Sequence, residues 1–239
     1  MRRAALLRDR FHQAGRNGGD RVVHGETTVR RIIFAAITMA ILAGTPAGAQ
    51  NPGPNALSPA ESKQGWILLF DGKSLNGWEA RPTSDPAVKP DWVVENGALQ
   101  CRGTTPSWIA TTASFSDYTL KLEFRGRENV NSGIFLRSQK EGQPHRTGYE
   151  LQIWDRDQPA GYYTGSLVGH VKAQPASMIP NEWNAYEISV EGDHFLVALN
   201  GKTVLDARDA THAFGVVGFQ CQKDNRIEFR GIRILPRRK

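Results

Sequence analysis

Residues 149–154 read Tyr-Glu-Leu-Gln-Ile-Trp. Strand side chains alternate between two faces, so this spacing predicts Glu150, Gln152 and Trp154 on one face and Tyr149, Leu151 and Ile153 on the other. The second set suits a core and the first a site. By the same rule Phe135 and Arg137 face together in residues 132–138, as do Glu123 and Arg125 in residues 118–125. A carboxylate, an amide, a guanidinium and an indole on neighbouring strands make a surface suited to a sugar. The ring stacks on Trp154 while hydroxyls bond to the forked polar groups. The bland reading is a solvated outer face with cross-strand ion pairs, and on pattern alone that is the commoner outcome.

The elements that must position these groups are strands. From Trp66 onward the apolar residues recur with period two, in short runs rich in β-branched and aromatic residues that break at Gly, Pro, Asn or Asp. Asn96-Gly97 and Asn200-Gly201 each sit between two such runs, as the positive φ angles of a type I′ hairpin require. Gly192-Asp193 predicts a third hairpin. No stretch supports a long amphipathic helix. About a dozen strands without internal repeats predict a single jelly-roll β-sandwich of two antiparallel sheets, one of which curves so that its concave face can hold a ligand.

The net charge of +6 invites a nucleic-acid partner, but eight Arg and three acidic residues place +5 of it in residues 1–49. About +1 is left for the rest, so nucleic acid is not an expected partner. Arg30-Arg31, an apolar run over residues 32–43 and Ala47-Gly48-Ala49 read as an export signal cleaved after Ala49. A dozen apolar residues are too few to span a bilayer, which needs about 20. Residues 1–28 are long for a charged leader, and initiation at Val29 would leave them untranslated. The expected organisation is a signal over 1–49, a flexible lead-in over 50–64, one domain over 65–236 and a basic tail over 237–239. That implies a periplasmic or secreted protein with no membrane contact after cleavage. Cys101 and Cys221 form no metal pattern; export permits a disulfide between them without requiring one.

The succession WILLFDGKSLNGW, NSGIFLR, GYELQIWD, TGSLVG and NEWNAYEISVEGDHFLVALNGKTVLD, closing with GVVGFQ and IEFRGIRI, resembles the 3-keto-disaccharide hydrolase family over nearly all of residues 65–236. The pair NSGIFLR and GYELQIWD is its most specific part. The resemblance implies a concanavalin A-like lectin/glucanase fold and an exported enzyme acting on small carbohydrates oxidised at C3. A C3 ketone acidifies the C2 proton, so a base removes it, the aglycone leaves from C1 by elimination, and water adds back. Such a reaction needs a base, a donor or cation at the developing oxyanion, and an acid for the leaving oxygen. Glu150 is the first candidate base and His170 the second, with Arg137 as oxyanion clamp and Gln152 and Asn131 as orienting donors. No cofactor is demanded by the sequence. A divalent ion could replace Arg137, with Glu123, Glu150, Asp155 and His170 as ligands.

A lone histidine is more often structural than catalytic, and His145, His194 and His212 read as surface residues. Trp66, Trp78, Trp92 and Trp183 read as packing. The loops over 155–165 and 172–182 are placed to rim a site, where Tyr162 or Tyr163 would stack on a sugar. Two rival functions stay open. One is a non-catalytic carbohydrate-binding module. The other is a two-carboxylate glycosidase, because Glu150, Gln152 and Asp155 resemble the E-x-D-x-x-E strand of laminarinase-type glucanases, with Gln and Asp replacing the last two acids.

Overall fold

A computed structural model describes residues 52–83, 85–156 and 159–237. The export segment expected over residues 1–49 lies outside the described residues, as do the last two positions of the basic tail. Thirteen strands follow in chain order among the described residues: β1 (Ile67–Leu68), β2 (Trp78–Pro82), β3 (Trp92–Glu95), β4 (Ala98–Cys101), β5 (Ser107–Phe115), β6 (Tyr118–Gly126), β7 (Ser132–Ser138), β8 (Tyr149–Ile153), β9 (Asn184–Glu191), β10 (His194–Leu199), β11 (Lys202–Arg208), β12 (Gly215–Cys221) and β13 (Ile227–Pro236). Two short helices, α1 (Pro59–Gln64) and α2 (Pro144–Thr147), accompany them.

The strands form two antiparallel sheets. One has the order β11-β10-β9-β6-β13-β4-β3, with β1 beside β13; the other has the order β2-β5-β12-β7-β8. This is the expected sandwich. Its hairpins fall where turn chemistry predicts: Asn96 and Gly97 take φ of 52° and 73° between β3 and β4, and Asn200 and Gly201 take 50° and 80° between β10 and β11. Gly192, at φ 57°, turns β9 into β10.

Alternation explains the core. Leu120, Leu122 and Phe124 of β6 point inward with Ile188 and Val190 of β9, and meet Ile109, Ile134, Leu151 and Phe219 from the other sheet. Phe219 stacks on Phe229 across the interface, with ring centroids 4.2 Å apart. Truncating either ring to Ala would cost about 3–5 kcal/mol. Cys101 of β4 and Cys221 of β12 form a disulfide, Cα atoms 5.7 Å apart, that ties one sheet to the other.

The lead-in contains one short helix. Ser58 and Glu61 make a capping box that starts α1, and Gly65 at φ 89° ends it. Ahead of the helix, the Asn55 side chain donates to the Gly97 carbonyl at 2.7 Å and accepts from the Gly231 amide at 2.9 Å. Asn55 and the Glu61–Arg233 ion pair at 2.7 Å thus tie the segment to β13 and the β3–β4 turn, while α1 itself buries no residue.

Candidate active site

The outer face of the five-stranded sheet carries the site. β7 and β8 pair in regular register, with Phe135 opposite Glu150 and Gly133 opposite Gln152. Glu150 and Gln152 therefore share the outward face, and Leu151 and Ile153 enter the core. The next strand, β12, sends Phe219 inward and Gln220 outward. Gln220 Nε2 donates to Glu150 Oε1 at 2.7 Å. These groups, with Phe135, Asn131 and His145, line a cavity of about 240 Å³.

Two glycines make room here. A Cβ at Gly133 would sit 2.8 Å from Glu150 Oε1, and one at Gly218 would sit 2.8 Å from the Ile109 carbonyl and 3.1 Å from the Trp108 ring. Real Cβ atoms do not approach so closely, so the Gly of NSGIFLR is explained by the space the Glu150 side chain occupies. Trp108 is buried beneath the face and packs edge-on against Phe135, ring centroids 5.8 Å apart.

Glu150 is 7% exposed. Burial pushes its carboxyl up to about 7, and the Gln220 hydrogen bond offsets only part of the rise. The amide oxygens of Gln152 and Gln220 are buried in the same place with no protein partner. Unpaired buried acceptors are costly, and their convergence on one cavity suits a hydroxylated ligand. His145 sits exposed on α2 at the cavity's edge; partial burial of the ring, then the neighbouring Arg146 charge, hold its pKa below the ordinary value.

The other expected site residues lie elsewhere. Arg137 has φ of 56°, inside a bulge where Leu136 and Arg137 together oppose Val217 of β12. Its alternation with Phe135 is broken, and its guanidinium is buried against the Ser116, Gly192 and His212 carbonyls and the Asp117 carboxylate. It cannot clamp an oxyanion beside Glu150. Glu123 lies on the outer face of the opposite sheet, paired with Arg230 at 2.5 Å. His170 is bonded through Nδ1 to Asp209 at 2.9 Å and packs on Tyr149, the side of β8 that faces away from Glu150.

Asp155 accepts from the Met178 amide at 2.8 Å. β8 has no bulge to swing it beside Glu150, so the cavity lining holds one carboxylate where a two-acid glycosidase needs a pair. The four expected metal ligands, Glu123, Glu150, Asp155 and His170, are not brought together. Among the described residues no group of three or more His, Cys, Asp and Glu is placed to hold a metal. Trp154 follows the last residue of β8 and is half-buried, with its amide bonded to Thr164 Oγ1 at 3.0 Å. Tyr162 and Tyr163 are half-buried in the following loop, where Lys172 Nζ lies 5.5 Å from the Tyr162 ring. None of these three aromatic rings lines the cavity; Phe135 does.

Gln220 and His145 are among the lining residues that were not expected at the site. Gln220 had a signal, since it alternates with Phe219 in the GVVGFQ run. His145 had none, because a single helical turn offers no period to read.

Comparison with known proteins agrees with this architecture. A solved structure of a candidate glycosyl hydrolase from Parabacteroides distasonis superposes with a TM-score of 0.67 at 22% identity, covering 77% of this chain and 99% of that one. A second from the same organism gives 0.59 at 24% identity, covering 72% and 99%. The 3-keto-disaccharide hydrolase of Bacteroides thetaiotaomicron is 25% identical over 170 residues, 59% of this chain, and the chain spans 58% of that relative's length. Residues 65–235 match the family model of the 3-keto-α-glucoside-1,2-lyase-like domain. With most of its length covered by that match, the chain belongs to the 3-keto-α-glucoside-1,2-lyase-like family.

Proposed function

We propose that this protein cleaves glycosides already oxidised at C3, with Glu150 as the base that removes the C2 proton. The observation that carries this reading is a single carboxylate, buried and with a pKa of about 7, among unpaired amide oxygens in one cavity. An acid tuned to neutrality serves well as a general base, because it is substantially ionised at neutral pH yet basic enough to take a carbon-bound proton. The electrons of the C2–H bond pass into an enediolate. The C1–O bond then breaks toward the leaving oxygen, which takes up a proton, and addition of water to the C1–C2 double bond completes a net hydrolysis. The side-chain amides of Asn131, Gln152 and Gln220 orient the sugar hydroxyls and the C3 oxygen. His145, neutral at pH 7 and at the cavity's edge, donates a hydrogen bond to the leaving oxygen.

The same reading places the protein outside the cytoplasm. The leader composition supports export, and the disulfide between the sheets is the kind of bond an oxidising compartment maintains. A mature N-terminus at Gln50, read by mass spectrometry of the natural protein, is the expected result; an intact leader would overturn it.

The function is tested by offering the purified protein a 3-keto glucoside and the unoxidised glucoside side by side, with and without chelator. Release from the keto substrate alone is expected. Release from both would indicate ordinary glycoside hydrolysis, and binding without release from either would indicate a carbohydrate-binding module. Loss on chelation would add a metal to the mechanism.

A further inference from the structure

Glu150 reaches its partner across a strand. In the five-stranded sheet β7 stands between β8 and β12, so Glu150 and Gln220 come from strands that are not neighbours. Those strands are two spacings apart, about 10 Å. A side chain on β7 between the two residues would block the way, and Gly133 has none. Phe219 pairs with Ile134, which puts Gln220 beside Gly133, and a Cβ on Gly133 would lie 2.8 Å from Glu150 Oε1 and 2.9 Å from its Cγ. The Glu150 side chain therefore crosses β7 over Gly133 and ends in the 2.7 Å hydrogen bond from Gln220 Nε2.

Gln220 is itself held on several sides. Ser132 Oγ donates to its carbonyl at 2.7 Å, and the next residue, Cys221, is tied by the disulfide to β4 of the other sheet. On the outer face the Trp108 ring lies over Gly218 and packs edge-on against Phe135, beside Gln220. These contacts fix where the amide starts, so the carboxylate oxygen that it binds is fixed too.

A carboxylate has two oxygens, and the amide occupies one of them. Among the described residues Gln220 is the one side-chain donor to Glu150. Oε1 can accept the same bond when Glu150 carries a proton on Oε2, because it is then the carbonyl oxygen of the acid. The bond survives proton transfer without rearrangement only if the proton arrives at Oε2. A neutral donor suits this position. A Lys or Arg there would hold the carboxylate ionised through a charge-assisted bond and weaken it as a proton acceptor.

We infer that Gln220 is a positioning residue, a role that rests on the reading of Glu150 as base: it holds Glu150 Oε1 across Gly133 and so assigns removal of the C2 proton to Oε2. The electrons of the C2–H bond pass into the enediolate, the proton forms its new bond to Oε2, and the Gln220 bond to Oε1 is kept throughout.

The test compares Gln220→Met, which keeps the length of the side chain and lacks the donor, with Gln220→Glu, which sets a second carboxylate against Glu150. Two quantities are measured in each. One is the ionisation of Glu150 in the ligand-free protein, followed by isotope-labelled carboxyl carbon resonances assigned through Glu150→Gln. The other is the pH profile of kcat and KM on a 3-keto glucoside. Loss of a donor to the ionised form raises a carboxyl pKa, so in Gln220→Met the titration and the ascending limb of kcat should both move up by about one pH unit. The kcat plateau above the limb should fall by about tenfold as Oε2 loses its aim. In Gln220→Glu the like charge should move titration and limb further still, and this variant carries the test if the methionine disturbs folding. A raised KM with titration and limb unmoved would overturn the positioning role and leave Gln220 as a sugar contact, with Glu150 still the base. A shifted limb with an undiminished plateau would overturn the assignment to Oε2. A titration that moves while the kcat limb stays in place would overturn the reading of Glu150 as base, and the assignment with it.

Discussion

The outer faces of the two sheets carry similar alternating polar residues, and they differ at one carboxylate, Glu150, which has no charged partner. On the eight-stranded sheet the charges are matched across strands: Glu123 with Arg230, Arg125 with Glu228 at 2.7 Å, and Lys121 with Glu187 at 3.1 Å. Trp183 lies under the guanidinium groups of Arg230 and Arg125, 3.9 and 4.6 Å from ring centroid to carbon. On the five-stranded sheet Glu150 has a neutral amide for its partner and is buried. A compensated face contributes solubility and register. An uncompensated carboxylate in a cavity lowers stability and is retained where chemistry needs it.

That contrast can be broken first at Glu150. Glu150→Gln should reduce turnover of a 3-keto glycoside by about 10²–10⁴-fold, the usual contribution of a positioned base, with little change in ligand affinity. Equal turnover by variant and parent would remove Glu150 from the mechanism.

The same substitution should stabilise the fold at high pH. The folded-state pKa of about 7 lies above the ordinary value of 4.5. Below pH 4.5 the group is protonated in both states and burial carries no ionisation penalty. As pH rises from 4.5 to 7 the unfolded chain ionises first, so stability falls, and above 7 the loss levels off at about 3 kcal/mol. Glu150→Gln lacks this loss. Denaturant melts should show the variant more stable than the parent at pH 8 and equal to it at pH 4; the reverse order would mean Glu150 is paired by a group not identified here. In the parent, activity should rise with pH through about 7 as the base ionises.

Gly133→Ala comes next in size. The added methyl would press on Glu150 Oε1, and overpacking of this kind costs about 1–3 kcal/mol. Turnover should fall together with stability, measured on the same preparation. The smallest effect belongs to the matched face: Glu123→Gln should change stability by less than about 1 kcal/mol, because its pair with Arg230 is partly exposed, and should leave turnover untouched. A large loss of activity there would remove the distinction between the two faces.

The contrast also explains what the sequence could and could not convey. Period-two alternation and the Asn-Gly turns made the sandwich legible, and alternation within β8 placed Glu150 and Gln152 on one face. It could not report which sheet a strand joins, so Glu123 looked equivalent to Glu150. Nor could it foresee that a positive φ at Arg137 would reverse one side chain, because that bulge is set by pairing with a strand about 80 residues later in the chain. Trp154 does not line the Glu150 cavity for a local reason, since β8 ends at Ile153 and alternation ends with it.

The central claim is proton abstraction from C2 by Glu150. Its most direct measurement is the rate of aglycone release from a 3-keto glucoside carrying deuterium or hydrogen at C2, by the parent and by Glu150→Gln. The account predicts slower release of the deuterated substrate by the parent and near-complete loss in the variant. Equal rates for the two isotopologues, with release undiminished in Glu150→Gln, would contradict it.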